Sequence, residues 1–183
     1  MKYNNTGVQQ YAKIISGNSN QNEEGAASAT DGSGNIYTVG DLVNTSSMKD
    51  AVIIQHNSGG TLQFNKAYNG EGEFTDKAVA MCVSGGSLYS TGYTYVYNED
   101  RNFCTIKYDA GGNKVWVRTF NGPDSDTDEP VDIAADGSGN IYVAGRSKNA
   151  NNNYDLFIIK YNANGDTLWT RNWDGGNNGD DEA

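Results

Sequence analysis

KYDAGGNKVWVRTFNG, residues 107–122, and KYNANGDTLWTRNWDG, residues 160–175, are two copies of one pattern. Each opens on a short polar turn that closes on glycine. An aromatic-basic-aromatic alternation follows, Trp116, Arg118, Phe120 in one copy and Trp169, Arg171, Trp173 in the other. A third copy starts at Gln55 (QHNSGG, then Phe64, Lys66, Tyr68), and a weaker fourth at Lys2 (KYNNTG, then Tyr11, Lys13, Ile15). The closing glycines Gly7, Gly60, Gly112 and Gly165 lie 53, 52 and 53 residues apart, as do Gly17, Gly70, Gly122 and Gly175. A fixed period of this length marks a repeat architecture.

Between these anchors lies a second pair of strand signals. An apolar stretch runs into DGSGNIYTVG (31–40) and DGSGNIYVAG (136–145), with the divergent SGGSLYSTG (84–92) in the intervening copy. Each repeat therefore holds four short strand segments separated by Gly, Asn and Asp clusters that supply hairpin turns. Four antiparallel strands in a repeat of this length predict a propeller blade. In the last full repeat the strands are expected near Val131–Ala135, Ile141–Gly145, Asp155–Tyr161 and Thr167–Trp173. Unbroken apolar runs such as Leu156-Phe157-Ile158-Ile159 fit a blade covered on both faces.

The fold class read from the repeat is all-β, with blades of four antiparallel strands in an incomplete ring. About three blades are expected plus one orphan outer strand: strand 1–17, blades 18–70, 71–122 and 123–175, and the start of another repeat at 176–183. Closed propellers need four to eight blades. Two expectations follow: the chain is a piece of a longer propeller, or copies of it self-associate through exposed blade faces.

The phrases DGSGNIYVAG and DLFIIKYNANGDTLWTRNW, with the acidic-x-Ala steps Glu24-Gly25-Ala26 and Asp76-Lys77-Ala78, resemble the SBBP repeat, named for seven-bladed bacterial β-propellers. Glu129-Pro130-Val131 and Ser84-Gly85-Gly86 depart from its pattern. The resemblance implies that the first strand of each blade is innermost and the fourth outermost. It further implies an extracellular or cell-surface bacterial protein, with no reaction common to the family.

Thirteen basic residues against 23 acidic ones give a net charge of −10, which repels nucleic-acid backbones and anionic membrane surfaces. No apolar run is long enough to insert in a membrane as a helix. The two cysteines, Cys82 and Cys104, fall on the first and third strands of one blade, so the second strand separates them and a disulfide is not expected. His56 stands where the other copies have Tyr3, Tyr108 and Tyr161, a structural position. Lys13, Lys66, Arg118 and Arg171 recur once per repeat, which points to stems packed between rings. Asp31 and Asp136 open equivalent turns, where Asp accepts backbone N–H groups.

No Ser-His-Asp or Cys-His set and no phosphate loop can be assembled, so no catalytic residue is nominated. One stretch departs from the repeat: Asp124, Asp126, Asp128 and Glu129 set carboxylates in a short acidic loop, as calcium loops do, without the full spacing of an EF-hand. It reads as a solvated acidic loop or as a calcium site with those four ligands. The expected function is a non-catalytic scaffold that binds a protein or glycan through the variable loops joining second to third strands and blade to blade. The alternative is part of a propeller-type glycan hydrolase or lyase, which would show unlike, convergent polar residues at one mouth of the channel.

Overall fold

The structure, a computed structural model, describes residues 1–12, 22–43, 48–70, 74–96, 100–123, 126–176 and 179–181. Fourteen strands and no helix are found among them. A hairpin of β1 (Lys2–Tyr3) and β2 (Gln9–Tyr11) precedes three four-stranded antiparallel sheets. The first blade is β3 (Glu24–Thr30), β4 (Ile36–Val43), β5 (Lys49–His56) and β6 (Leu62–Tyr68). The second is β7 (Asp76–Ser84), β8 (Ser87–Tyr95), β9 (Arg101–Tyr108) and β10 (Lys114–Phe120). The third is β11 (Asp128–Ala135), β12 (Ile141–Lys148), β13 (Tyr154–Tyr161) and β14 (Thr167–Trp173). In each blade the strands pair in sequence order, as in a propeller.

The last strand of the third blade runs over Thr167–Trp173 as the alternation predicts, whereas its first strand begins at Asp128 and not at Val131. The cause is a β-bulge. Register shifts interrupt each first strand at Gly25/Ala27, Ala78/Ala80 and Pro130/Asp132, so pairing continues beyond the point where the apolar pattern breaks. Opposite each bulge stands a glycine, Gly40, Gly92 or Gly145. A Cβ there would fall on the carbonyl oxygen of Glu24, Lys77 or Glu129. The bulge and its glycine thus let each first strand close onto the second at the end from which the variable loops emerge.

Apolar side chains fill the space between blades. One cluster joins Tyr37, Val39 and Ile53 to Ala78, Leu88, Ile106 and Tyr108, and the next joins Tyr89, Phe103 and Trp116 to Ile133, Val143, Phe157 and Ile159. Phe120 reaches across to Phe157, with ring centroids 4.9 Å apart. β9, packed on both faces, is buried along most of its length, while β13 alternates between buried and half-buried positions. Leu156 and Ile158 are the half-buried members of the run that the sequence marks as apolar throughout.

The hairpins between third and fourth strands carry much of the register between blades. In each, Asn or Asp at the first position accepts two backbone N–H groups, and the glycine at the fourth adopts positive φ, as at Gly165 (82°). The aromatic residue of the preceding blade's fourth strand covers that glycine. A Cβ at Gly60, Gly112 or Gly165 would stand 2.8, 2.6 or 2.9 Å from the ring of Tyr11, Phe64 or Trp116. Asp31 and Asp136 hold their turns as the sequence predicts, each accepting two backbone N–H groups, the following Asn amide and a Tyr hydroxyl.

Candidate functional site

Hydrogen bonding first fixes where the blade-to-blade loops start. Gly70, Gly122 and Gly175 each donate a backbone N–H to the carboxylate six residues downstream, Asp76, Asp128 and Asp181, at 2.6, 2.7 and 2.7 Å. Asp76 and Asp128 are buried under this clasp, and Asp128 is 0% exposed. Burial pushes the Asp128 carboxyl up to about 6, with Ser147 and the Gly122 N–H opposing it. It raises Asp76 as well, with the nearby Asp50 charge in the same direction.

One residue past Asp76 and Asp128 along the first strand, and at the equivalent place in the first blade, the three blades stop being alike. The positions hold Glu24, Lys77 and Glu129, paired across the sheet with Asp41, Tyr93 and Arg146. Ion pairs connect them from blade to blade. Lys77 Nζ lies 2.6 Å from Glu24 and 3.7 Å from Asp41, and Lys49 Nζ lies 2.6 Å from the same fully buried Asp41. Glu129 sits between Arg101 at 2.5 Å and Arg146 at 2.7 Å. Arg101 stacks over Tyr93 and donates to the Tyr95 hydroxyl, and Arg146 stacks over Tyr154. The hydrogen bond from Lys77 holds the Glu24 carboxyl below its ordinary range.

Beside this row, between the first and second blades, lies a groove of about 500 Å³ lined by Tyr68, Thr94, Asn102, Val117, Thr119 and Asn121 among others. Hydroxyl and amide groups beside one aromatic ring form a lining suited to a polyhydroxylated or peptide ligand. The buried Asn121 Oδ1 has no hydrogen-bond partner among the described residues. A second cavity, of about 290 Å³, lies over the first blade against the N-terminal hairpin, where Tyr11, Val39, Val52 and Ile54 contribute to its wall. It belongs to the packing surface between blades.

Of the acidic residues nominated from the sequence, the three that are described each have a different partner. Asp124 lies outside the described residues. Asp126 accepts the Thr127 N–H and faces Lys148 at 3.4 Å. Asp128 is committed to the Gly122 clasp, and Glu129 to its two arginines. Among the described residues, carboxylates do converge at Asp155, Asp174 and Asp181, whose oxygens lie within 4.8 Å of one another. Asn149 and the N–H groups of Gly175 and Gly176 donate to them.

Of the remaining positions, those described lie within strands. His56 is buried in β5, and Cys82 and Cys104 are free thiols, Cys104 buried. Arg118 lies 5.6 Å from the Trp116 ring and donates to the Gly165 carbonyl of the next blade at 2.6 Å. Lys13, with Ile15 and Gly17, lies outside the described residues.

Residues 115–154, running from the fourth strand of the second blade to the third strand of the next, match the SBBP family model, described as a beta-propeller repeat. Over these residues the chain carries an SBBP-type propeller repeat. No curated protein matches the chain. The matched segment of the SBBP repeat contains the bulge, Gly145 and the Asp136 turn, the features that shape the blade, together with Glu129 and Arg146 of the variable row.

Proposed function

We propose that this chain is a non-catalytic propeller module that binds a protein or glycan at the surface of a bacterial cell or outside it, using the face where the blade-to-blade loops emerge. The observation that carries this reading is the reversal of charge from blade to blade on that face. The hairpin turns at the opposite end repeat except for the shortened Ser84–Ser87 turn of the second blade, while the loop face sets Glu, Lys and Glu, then Asp, Tyr and Arg, at equivalent positions. Variable groups on a rigid frame are where recognition concentrates. The extracellular setting rests on the SBBP resemblance alone.

Unlike residues at one mouth also favour a second reading, a propeller-type glycan-processing enzyme. Against it, Glu129 is engaged by two arginines, and Asp128, the acid whose carboxyl is pushed up to about 6, is fully buried and so cannot touch a substrate.

The test is a screen of the labelled chain against immobilised bacterial glycans and surface-protein extracts, repeated with Arg101→Ala, Asn121→Ala and, at the opposite end, Ser138→Ala. Loss of capture in the first two variants and retention in the third is expected. Capture unaffected by any loop-face change would overturn the reading, and release of cleaved glycan would replace it with the enzymatic one.

A further inference from the structure

The boundary between the second and third blades packs Phe120 of β10 on Phe157 of β13, with ring centroids 4.9 Å apart. The same two positions at the first boundary hold Tyr68 and Cys104, so a thiol replaces the second ring. The Tyr68 hydroxyl is hydrogen-bonded to that thiol, and Lys114 Nζ lies 5.0 Å from the centroid of its ring. These contacts hold the ring in place. With no ring at position 104 to fill the space, the groove of about 500 Å³ opens beside Tyr68. Its volume lies within the range of small-ligand pockets, about 300–1,000 Å³.

The rest of the wall is the face of the second blade. Thr94 and Asn102 are paired directly across β8 and β9, and Val117, Thr119 and Asn121 follow in alternation along β10 and just beyond it. A sheet face offers side chains rather than a free backbone edge, so a peptide cannot add to it as a strand. What these side chains offer is hydroxyls and amides, each able both to donate and to accept.

None of the described residues lining the groove carries a charge, in a chain of net charge −10. That neutrality is particular to the second blade. The third blade, 53 residues on, has Asp155 and Asp174 where this one has Asn102 and Asn121, and the first blade has Asp50 with Asn69. One acceptor is left over as well. Asn121 Oδ1 is buried, and no described group donates to it. A hydroxyl brought to it restores the hydrogen bond that burial took from it.

We propose that this groove binds a neutral sugar unit of a glycan, with the apolar face of the sugar ring against Tyr68 and its hydroxyls on Thr119 and Asn121. Asn121 Oδ1 accepts one sugar hydroxyl, while its amide nitrogen and the Thr119 hydroxyl bond to neighbouring ones. A sugar matches the site because its hydroxyls, like these side chains, donate and accept at once, and its ring carbons suit an aromatic surface. An acidic sugar does not match, because no described lining residue is a cation that could pair with its carboxylate. The inference rests on the reading of the chain as a binding module and names the ligand of that module.

Saturation-transfer NMR and calorimetry test this on the whole chain, with the methyl glycosides of glucose, galactose and mannose and with the corresponding uronides as probes. At least one neutral glycoside is expected to bind, and its uronide to bind about tenfold more weakly or less. Asn121→Ala and Thr119→Val should each weaken the neutral sugar about tenfold, the scale of one lost hydrogen bond, while Ser138→Ala at the opposite end leaves it unchanged. Matching thermal transitions guard against misfolding. Thr119 is exposed, so Thr119→Val carries the test if Asn121→Ala does not fold. No neutral glycoside bound, a uronide bound as tightly, or variants that bind like the parent would overturn the assignment. Any of those results leaves the binding-module reading standing if the chain still captures a partner in the screen, and absence of capture is what removes that reading.

Discussion

Asp128 accepts the backbone N–H of Gly122 at 2.7 Å while being 0% exposed, so the loop that joins the second blade to the third is tied down by a carboxylate taken out of water. Its repeats at Gly70–Asp76 and Gly175–Asp181 make the clasp a recurrent feature of this chain's blades. The charge on such a buried acid works against folding, because desolvation disfavours the ionised form.

A pH dependence follows. The Asp128 carboxyl titrates near its ordinary value of 3.8 when the chain is unfolded and at about 6 when folded. The folded state therefore holds the proton more tightly. Stability from this group is fully present below pH 4, falls as pH rises towards 6 and is lost above it. Asp128→Asn keeps an acceptor for Gly122 and removes the titration. Its melting temperature relative to the parent should rise between pH 4 and 6 and then level off, with a gain of about 3 kcal/mol at most. A difference independent of pH would show that Asp128 is ionised in both states.

Two glycines of the DGSGNIYVAG stretch, residues 136–145, should respond to very different extents. A Cβ at Gly145 would stand 2.3 Å from the Glu129 carbonyl oxygen and 2.8 Å from the Phe103 ring, whereas one at Gly137 meets nothing within 4 Å. Gly145→Ala should cost about 3 kcal/mol or more in urea unfolding, since backbone and a packed ring must both move. Gly137→Ala should change stability by about 0.5 kcal/mol or less. Similar costs at the two sites would mean that the bulge does not hold the first strand against the second.

These glycines mark the limit of what the sequence makes legible. The blade itself is readable because Gly165 and its equivalents need positive φ and the alternation around Trp169 needs two faces, so both recur at a fixed period. The strand start at Asp128 is not readable, because the bulge at Pro130/Asp132 breaks the alternation on which strand limits are judged. The charged row is hidden for a different reason. Lys77 finds Glu24 from 53 residues away, and Arg101 finds Glu129 across a blade boundary, so no local motif announces either pair. Charge reversal at one repeat position, Glu24, Lys77 and Glu129, is the signal that could have found them.

The thiols should be inert in the folded protein. Burial pushes Cys104 up to about 12 and Cys82 up to about 11, so neither supplies thiolate near neutrality. A disulfide-exchange reagent at pH 8 should label no thiol in native buffer and two per chain in concentrated urea. Rapid labelling of Cys104 without denaturant would mean that the interface between the first two blades opens readily.

Replacing Glu129 should separate pairing from packing. With two guanidinium groups on one carboxylate that is only 21% exposed, Glu129→Gln leaves Arg101 and Arg146 facing each other without an anion between them. A loss of about 1–3 kcal/mol is expected. The loss should shrink when Arg146→Gln is added, because removing the second partner removes the repulsion. Additive losses would show that the two arginines are held mainly by their stacking on Tyr93 and Tyr154.

Calcium supplies the last test, and it turns on how the acidic residues are already engaged. Oxygen ligands must lie around one ion at about 2.3–2.6 Å. Asp126 and Glu129 are instead drawn to separate cations, Lys148 for one and the two arginines for the other, and Asp128 faces the Gly122 amide. A calcium ion gathering Asp126, Asp128 and Glu129 would have to displace three ion pairs and open a buried clasp. Calorimetric titration with calcium should therefore give the same heats for the parent and for Asp126→Ala. A calcium signal lost in that variant would show that the loop rearranges around the ion, and would return Asp124, Asp126, Asp128 and Glu129 as its ligands.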